Sequence, residues 1–184
     1  ENVFAVTQGG IDAPVTVDEI EREALQVERV ARPAVGAGDA TIKMLSAGRP
    51  IAGTEVRVVD PAGRDVPERT VGEIALRSNC MLSGYYHRPD TTARAFIDGW
   101  YLTGDFGYLA GGELYVSGRK KDLIIVGGKN VYPQDIEELV MTVDGVHPGR
   151  VAAFGVFDDE AGTEEVVVVA ELEDGAGVDE EARQ

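Results

Sequence analysis

One cysteine, two histidines and the lack of any long apolar run remove several function classes before a motif is read. Cys80 cannot form an internal disulfide, and with no partner histidine nearby it reads as a small half-buried core residue rather than a nucleophile. His87 and His147 lie far apart with no cysteine or acid at ligand spacing, so a zinc site is not expected. No segment is apolar for the length needed to span a bilayer, and no basic-plus-apolar leader opens the chain. A cytoplasmic protein without a membrane span is the expectation. Positive charge is also scarce. Seventeen basic residues face 33 acidic ones, a formal charge of -16, and residues 158–184 hold eleven acids against Arg183 alone. The one tight basic cluster, Arg119-Lys120-Lys121, is too short for a nucleic-acid footprint, and a negative surface repels phosphate backbones. Nucleic acid is therefore not an expected partner.

What is present is an ordinary globular composition: 184 residues, 43% hydrophobic and 27% charged, enough to bury a core in one domain or two small ones. Glycine and proline are scattered as turn punctuation, which excludes collagen-like, low-complexity and solenoid architectures. The chain opens on Glu1 rather than Met, and the expectation is a fragment of a longer protein.

Residues 2–7 look like a short buried segment. Asp18 is expected to cap a short helix carrying Ile20, Ala24, Val27 and Ala31 on one face and ended by Pro33. From about 42 to 117 the pattern is one of short strands. IKMLS, TEVRVVD at 54–60 and GEIALRS at 72–78 are predicted strands, with Val56, Val58, Ile74 and Leu76 on one buried face. DTTARAF after Pro89 reads as a turn or two of helix. YLTGDFGYL and ELYVSGR flank Gly111-Gly112, the strongest hairpin signal in the chain. From Asp122 the pattern resets: LIIV as a buried strand, a Gly127-Gly128 turn, and Pro133 opening a helix, PQDIEELVMTV, whose apolar face is Ile136, Leu139, Val140 and Val143. Strands at 150–158 and 164–172 complete a small α+β unit, joined to the β-rich part near Lys121 by a single hinge peptide.

YLTGD at 101–105 and SGRKKD at 117–122 carry the chemistry. A two-residue turn sets antiparallel neighbours side by side, so Asp105 and Arg119 can lie close together. Asp105 can then accept hydrogen bonds from vicinal hydroxyls such as those of a ribose, while Arg119 offers a fork of donors to the same sugar or to a phosphate. Spacing alone leaves a second reading open, in which Asp105 caps a turn beside Gly104 and Gly107 and Arg119 makes a surface ion pair.

The run from VGEIALRSNCMLSGYYHRPDTTARAF through GWYLTGDFGYL to GRKKDLIIVGGKNVYPQDIEE, roughly residues 48–143, resembles the acyl-adenylate-forming superfamily of acyl-CoA synthetases, fatty acyl-AMP ligases, adenylation domains and luciferases. The resemblance implies a mixed α/β fold. Residues 1–120 would be the β-rich, distorted barrel-like end of the large adenylating domain, and 121–184 the start of a small mobile α+β carboxyl-terminal domain. It implies that Asp105 and Arg119 bind the ribose of ATP and of the acyl-adenylate, and that Lys121 is the hinge of the small domain. Gly127 and Gly128 would border the pantetheine tunnel, where missing side chains let a thiol arm pass close to backbone. Glu1 matches the glutamate that ends the family's aromatic-Gly-x-x-Glu motif and helps hold Mg²⁺. ATP and a small-molecule carboxylate are the implied substrates, with CoA or a carrier-protein phosphopantetheine as acceptor.

The long segment from Glu1 to Gly48-Arg-Pro50, with NVYPQDIE after the glycine turn, is most similar to fatty acyl-AMP ligases, which would make an acyl carrier protein the partner. A surface-loop insertion is the alternative account of that length, and Gly128 departs from the arginine that subgroup often carries. Nothing matches the family's Ser/Thr/Gly-rich phosphate loop, and no lysine follows Lys129. This stretch alone is therefore not expected to catalyse. A noncatalytic remnant or interaction module of the same fold is the competing hypothesis.

Overall fold

The computed structural model describes residues 5–10, 12–36 and 40–173, and the chain divides into two compact units between Lys121 and Asp122. The first unit is built on an antiparallel five-stranded sheet that curls into a half-barrel. Its strands are β5 (Thr54–Val59), β6 (Gly72–Ser78), β7 (Phe96–Ile97), β8 (Trp100–Ala110) and β9 (Glu113–Arg119). They lie in the order β5-β6-β8-β7, and β9 pairs with the rest of the β8 edge that β7 leaves open. Two small pairs flank this sheet: β1 (Thr7–Gln8) with β4 (Arg49–Pro50), and β2 (Val17–Glu21) with β3 (Thr41–Leu45). The helix after Pro89 forms as expected, as α1 (Pro89–Arg94).

β6 is buried on both faces rather than one. Ile74 and Leu76 pack with Leu114 in one cluster, while Ala75, between them, packs with Val59 and Trp100 in another. Successive side chains of a strand point to opposite sides, so a strand paired on both edges and covered on both faces buries consecutive residues, here Gly72 to Leu76. Arg57 and Arg77 roof the Trp100 face, their guanidinium carbons 4.8 and 4.5 Å from the ring centroid.

The segment at 17–33 corrects the expected helix. Val17–Glu21 is a strand, and Asp18 caps nothing; helical backbone is confined to residues 22–28, with Ala24–Glu28 as a π-type turn. Its β-branched start and its pairing with Thr41–Leu45 outweigh the helical spacing of its apolar residues. Asp18 instead receives the Tyr108 hydroxyl at 2.9 Å and the two terminal nitrogens of Arg69 at 3.0 and 3.2 Å. Ile20, Leu25 and Ala31 are fully buried against Val71, Tyr108 and Tyr115. Ile20, Leu25 and Ala31 thus anchor part of the long segment in the core of its unit, while residues 12–17 are exposed. The start of the expected buried segment at 2–7 lies partly outside the described residues.

The second unit contains β10 (Ile124–Val126) and β11 (Lys129–Val131), then α2 (Pro133–Val140), then the long hairpin of β12 (Val146–Asp158) and β13 (Thr163–Leu172). Its apolar patterning is less covered than the sequence suggests. Only Ile124 of LIIV is buried, and Ile125 is exposed. α2 packs on β12, with Glu137 accepting the Ala153 N–H at 2.9 Å, yet Leu139 and Val143 stay 69% and 56% exposed. Among the described residues no helix is long and apolar enough to cross a membrane.

Candidate functional site

Gly111 and Gly112 adopt φ of 59° and 79°, the left-handed pair a two-residue hairpin turn requires. That turn sets the register of β8 on β9, and the register places Asp105 directly opposite Arg119. Arg119 Nε donates to Asp105 Oδ1 at 3.2 Å. The Asp105 and Arg119 side chains remain 35% and 60% exposed, so both can still reach a ligand from solvent.

Asp105 owes its position to a bulge. Between the pairs Glu73–Phe106 and Ala75–Leu102, β6 contributes Ile74 alone while β8 contributes Thr103, Gly104 and Asp105. The Thr103 hydroxyl donates to the Ile74 carbonyl at 2.9 Å and accepts the Asp105 N–H at 3.0 Å. Gly104 takes φ +77°, a conformation that side chains strain, and its carbonyl accepts the Lys120 N–H at 2.8 Å. Threonine, glycine and aspartate are therefore each needed: one to tie the loop to β6, one to turn the chain, one to present a carboxylate. A second irregularity, at Ser117 in β9, lies between the pairs Phe106–Gly118 and Gly107–Val116.

Lys121 is exposed in a turn and is the last residue of the first unit. Gly127 and Gly128, in the second unit, form a two-residue turn with φ of 55° and 79° joining β10 to β11. A Cβ on either would meet nothing within 4 Å, so the backbone conformation and not crowding calls for glycine. The Gly127 N–H donates to the Thr163 hydroxyl at 2.7 Å, and that hydroxyl donates to the Ile125 carbonyl at 3.0 Å. The turn borders an open groove of about 540 Å³ with Ile125, Phe157, Gly162 and Glu164. Glu1 lies outside the described residues.

The two histidines and the cysteine have local contacts. His87 stands edge-on to Tyr86, His147 Nδ1 lies 3.0 Å from the Pro148 carbonyl, and Cys80 Sγ is 3.4 Å from the Ser78 hydroxyl. Among the described residues no three histidines, cysteines or acids gather to hold a metal. Burial, and next the hydrogen bond to Asp18, push the Tyr108 hydroxyl far above the usual phenol range, so Tyr108 acts as a fixed donor.

Two residues near the site escaped the sequence reading. Glu73, the second residue of β6, is 9% exposed, and Lys120 Nζ lies 2.8 Å from its Oε2. The available signal was an acid inside the otherwise apolar alternation of VGEIAL.

Comparison with known proteins adds context. The family described as AMP-binding enzyme matches residues 31–86. A sulfoacetate–CoA ligase of Cupriavidus necator is 43% identical over 141 residues, covering 74% of this chain and 26% of that protein. A 4-hydroxyphenylalkanoate adenylyltransferase of Mycobacterium marinum is 37% identical over 183 residues, covering 92% of this chain and 28% of that protein. Among solved structures, one from work on the fatty acyl-adenylate ligases of E. coli and L. pneumophila superposes with a TM-score of 0.82 at 30% identity, over 97% of this chain and 31% of the other. The chain spans about a quarter to a third of the length of these relatives.

Proposed function

The chain belongs to the acyl-adenylate-forming superfamily, and on that premise we propose that it carries the nucleotide-ribose site and the hinge of an ATP-dependent ligase that adenylates a fatty acid. The observation that carries this reading is the TGD bulge, which turns a carboxylate outward beside a guanidinium at the open end of a hairpin. Asp105 accepts the two ribose hydroxyls; Arg119 steadies the carboxylate and donates to the same sugar or to the phosphate. With the nucleotide held, the substrate carboxylate attacks the α-phosphorus and pyrophosphate leaves. A pantetheine thiol then attacks the acyl carbonyl and AMP leaves. No protein nucleophile takes part, so these residues act by positioning. Mg²⁺, when bound, would neutralise phosphate charge; Glu1 is its one proposed protein ligand, and no step here runs through it. Lys121 is the proposed hinge between residues 1–120 and 121–184. Gly127 and Gly128 are the proposed border of the pantetheine path, which their open surroundings support.

For the acceptor, a carrier-protein phosphopantetheine is favoured by the likeness to a fatty acyl-adenylate ligase across 97% of the chain. Free CoA is the second reading, favoured by the identity to a CoA ligase. Asp105→Ala in the full-length protein should weaken ATP and acyl-adenylate binding by roughly 1.5–3 kcal/mol, the worth of a charged hydrogen bond, without unfolding the protein. Unchanged nucleotide affinity and acyl-AMP formation would sink the assignment. With ATP and a fatty acid the same protein should release acyl-AMP, and CoA should not draw it into acyl-CoA; rapid thioester formation would select the CoA reading.

A further inference from the structure

Glu73 is an acid that the proposed chemistry does not use. It shares the face of Ala75 on β6, with Val59 and Phe106 as its strand neighbours. An ionised carboxylate in such a place needs a partner, and its partner is Lys120. Both residues line a cleft of about 330 Å³ with Val59, Val71 and Phe106. Lys120 is held twice, by its ammonium to Glu73 and by its backbone N–H to the Gly104 carbonyl. Gly104 precedes Asp105 directly, and Lys120 directly follows Arg119. One ion pair therefore ties β6 to the residue that follows β9, next to Arg119 at the end of that strand and across from the bulge that carries Asp105.

We propose that Glu73 is a positioning residue for the nucleotide site. By drawing the Lys120 side chain inward it fixes the end of β9. Through the Lys120 N–H on the Gly104 carbonyl it holds the bulge in the conformation that aims Asp105 outward. The proposal rests on the reading of Asp105 and Arg119 as ribose ligands. A pair between two exposed side chains would do little; here one partner is buried in the sheet, so the geometry has a rigid origin.

The test uses the full-length enzyme with Glu73→Gln, Lys120→Met and the double variant, measuring KM for ATP and kcat of pyrophosphate release alongside thermal melting. Lys120→Met leaves the buried Glu73 carboxyl without its partner, so the double variant, which removes both charges, is the one that should fold even if a single change does not. Each single change should raise KM for ATP roughly fivefold with little change in kcat, and the double variant should be no worse than the worse single, because both remove one shared interaction. An unchanged KM in Lys120→Met, multiplicative losses in the double variant, or a lowered melting temperature with kinetics intact would overturn the proposal. Asp105→Ala in the same assay separates the two ideas. If it leaves KM for ATP unchanged, the ribose reading falls and takes this proposal with it. If it raises KM while Lys120→Met does not, only the positioning role of Glu73 falls.

Discussion

Two hairpins in this protein turn on the same dipeptide, Gly-Gly, with nearly the same left-handed backbone, and they do different work. In β8–β9 the strands are long, bury Tyr108, Leu114 and Tyr115, and place Asp105 and Arg119 at the end away from the turn. In β10–β11 each strand has three residues, Ile125 is exposed, and the turn itself borders a groove, held by Thr163. The first hairpin is fixed by the several large side chains its strands bury, the second by Ile124 and a hydrogen bond to its tip. Turn chemistry alone thus specifies a reversal, while burial decides which end of the reversal is rigid enough to position a ligand.

The sharpest way to break this contrast is to hollow out one hairpin and then the other. Tyr108→Ala removes a fully buried ring and the hydroxyl that bonds Asp18, and should cost about 3–5 kcal/mol of stability in urea unfolding. Ile125→Ala, at a half-exposed site, should stay within about 0.5 kcal/mol. Equal losses would mean that the short hairpin is as dependent on packing as the long one.

A smaller effect is expected from replacing glycines. Gly104→Ala and Gly128→Ala both place a side chain at a positive φ with open space around it, and should each cost roughly 1–2 kcal/mol. Only Gly104→Ala should also weaken ATP binding, since only that residue belongs to the bulge behind Asp105. Titration with ATP separates the two variants, and a loss of affinity in Gly128→Ala would remove the distinction drawn between rigid end and tip.

The smallest change in binding should come at the boundary. Proline at Lys121 would hold φ near -65° and push Lys120 toward extended conformations. If Lys121 is the hinge, pyrophosphate release and acyl transfer in the complete enzyme should respond unequally to Lys121→Pro, with ATP affinity nearly intact, while Lys121→Ala should be mild on both. Equal losses in both half-reactions, or none, would argue against that pivot.

Much of the fold was legible because short-range signals were strong. Gly111-Gly112 between alternating strands has one reading, and it carried the juxtaposition of Asp105 and Arg119 with it. Pro89 and Pro133 opened helices where expected. Asp18 misled, because an acid ahead of apolar residues at helical spacing looks like a cap; pairing with Thr41–Leu45 made it a strand, and Arg69 and Tyr108 claimed its carboxylate. Leu139 and Val143 followed helical periodicity faithfully, but periodicity says which side is apolar and not what covers it.

The amino-acid sequence by itself determined the turns, the strand order along the hairpins, the change of pattern near Lys121 and the family, since these depend on neighbours a few residues apart and on motifs that survive as text. Tertiary structure decided the rest. The two extra residues that aim Asp105 outward, the burial of Glu73 and its rescue by Lys120, and the Asp18–Arg69–Tyr108 network all join residues from 29 to 90 positions apart. No local pattern records such pairings, because their free energy comes from excluding water among strands that meet only once the sheet has closed.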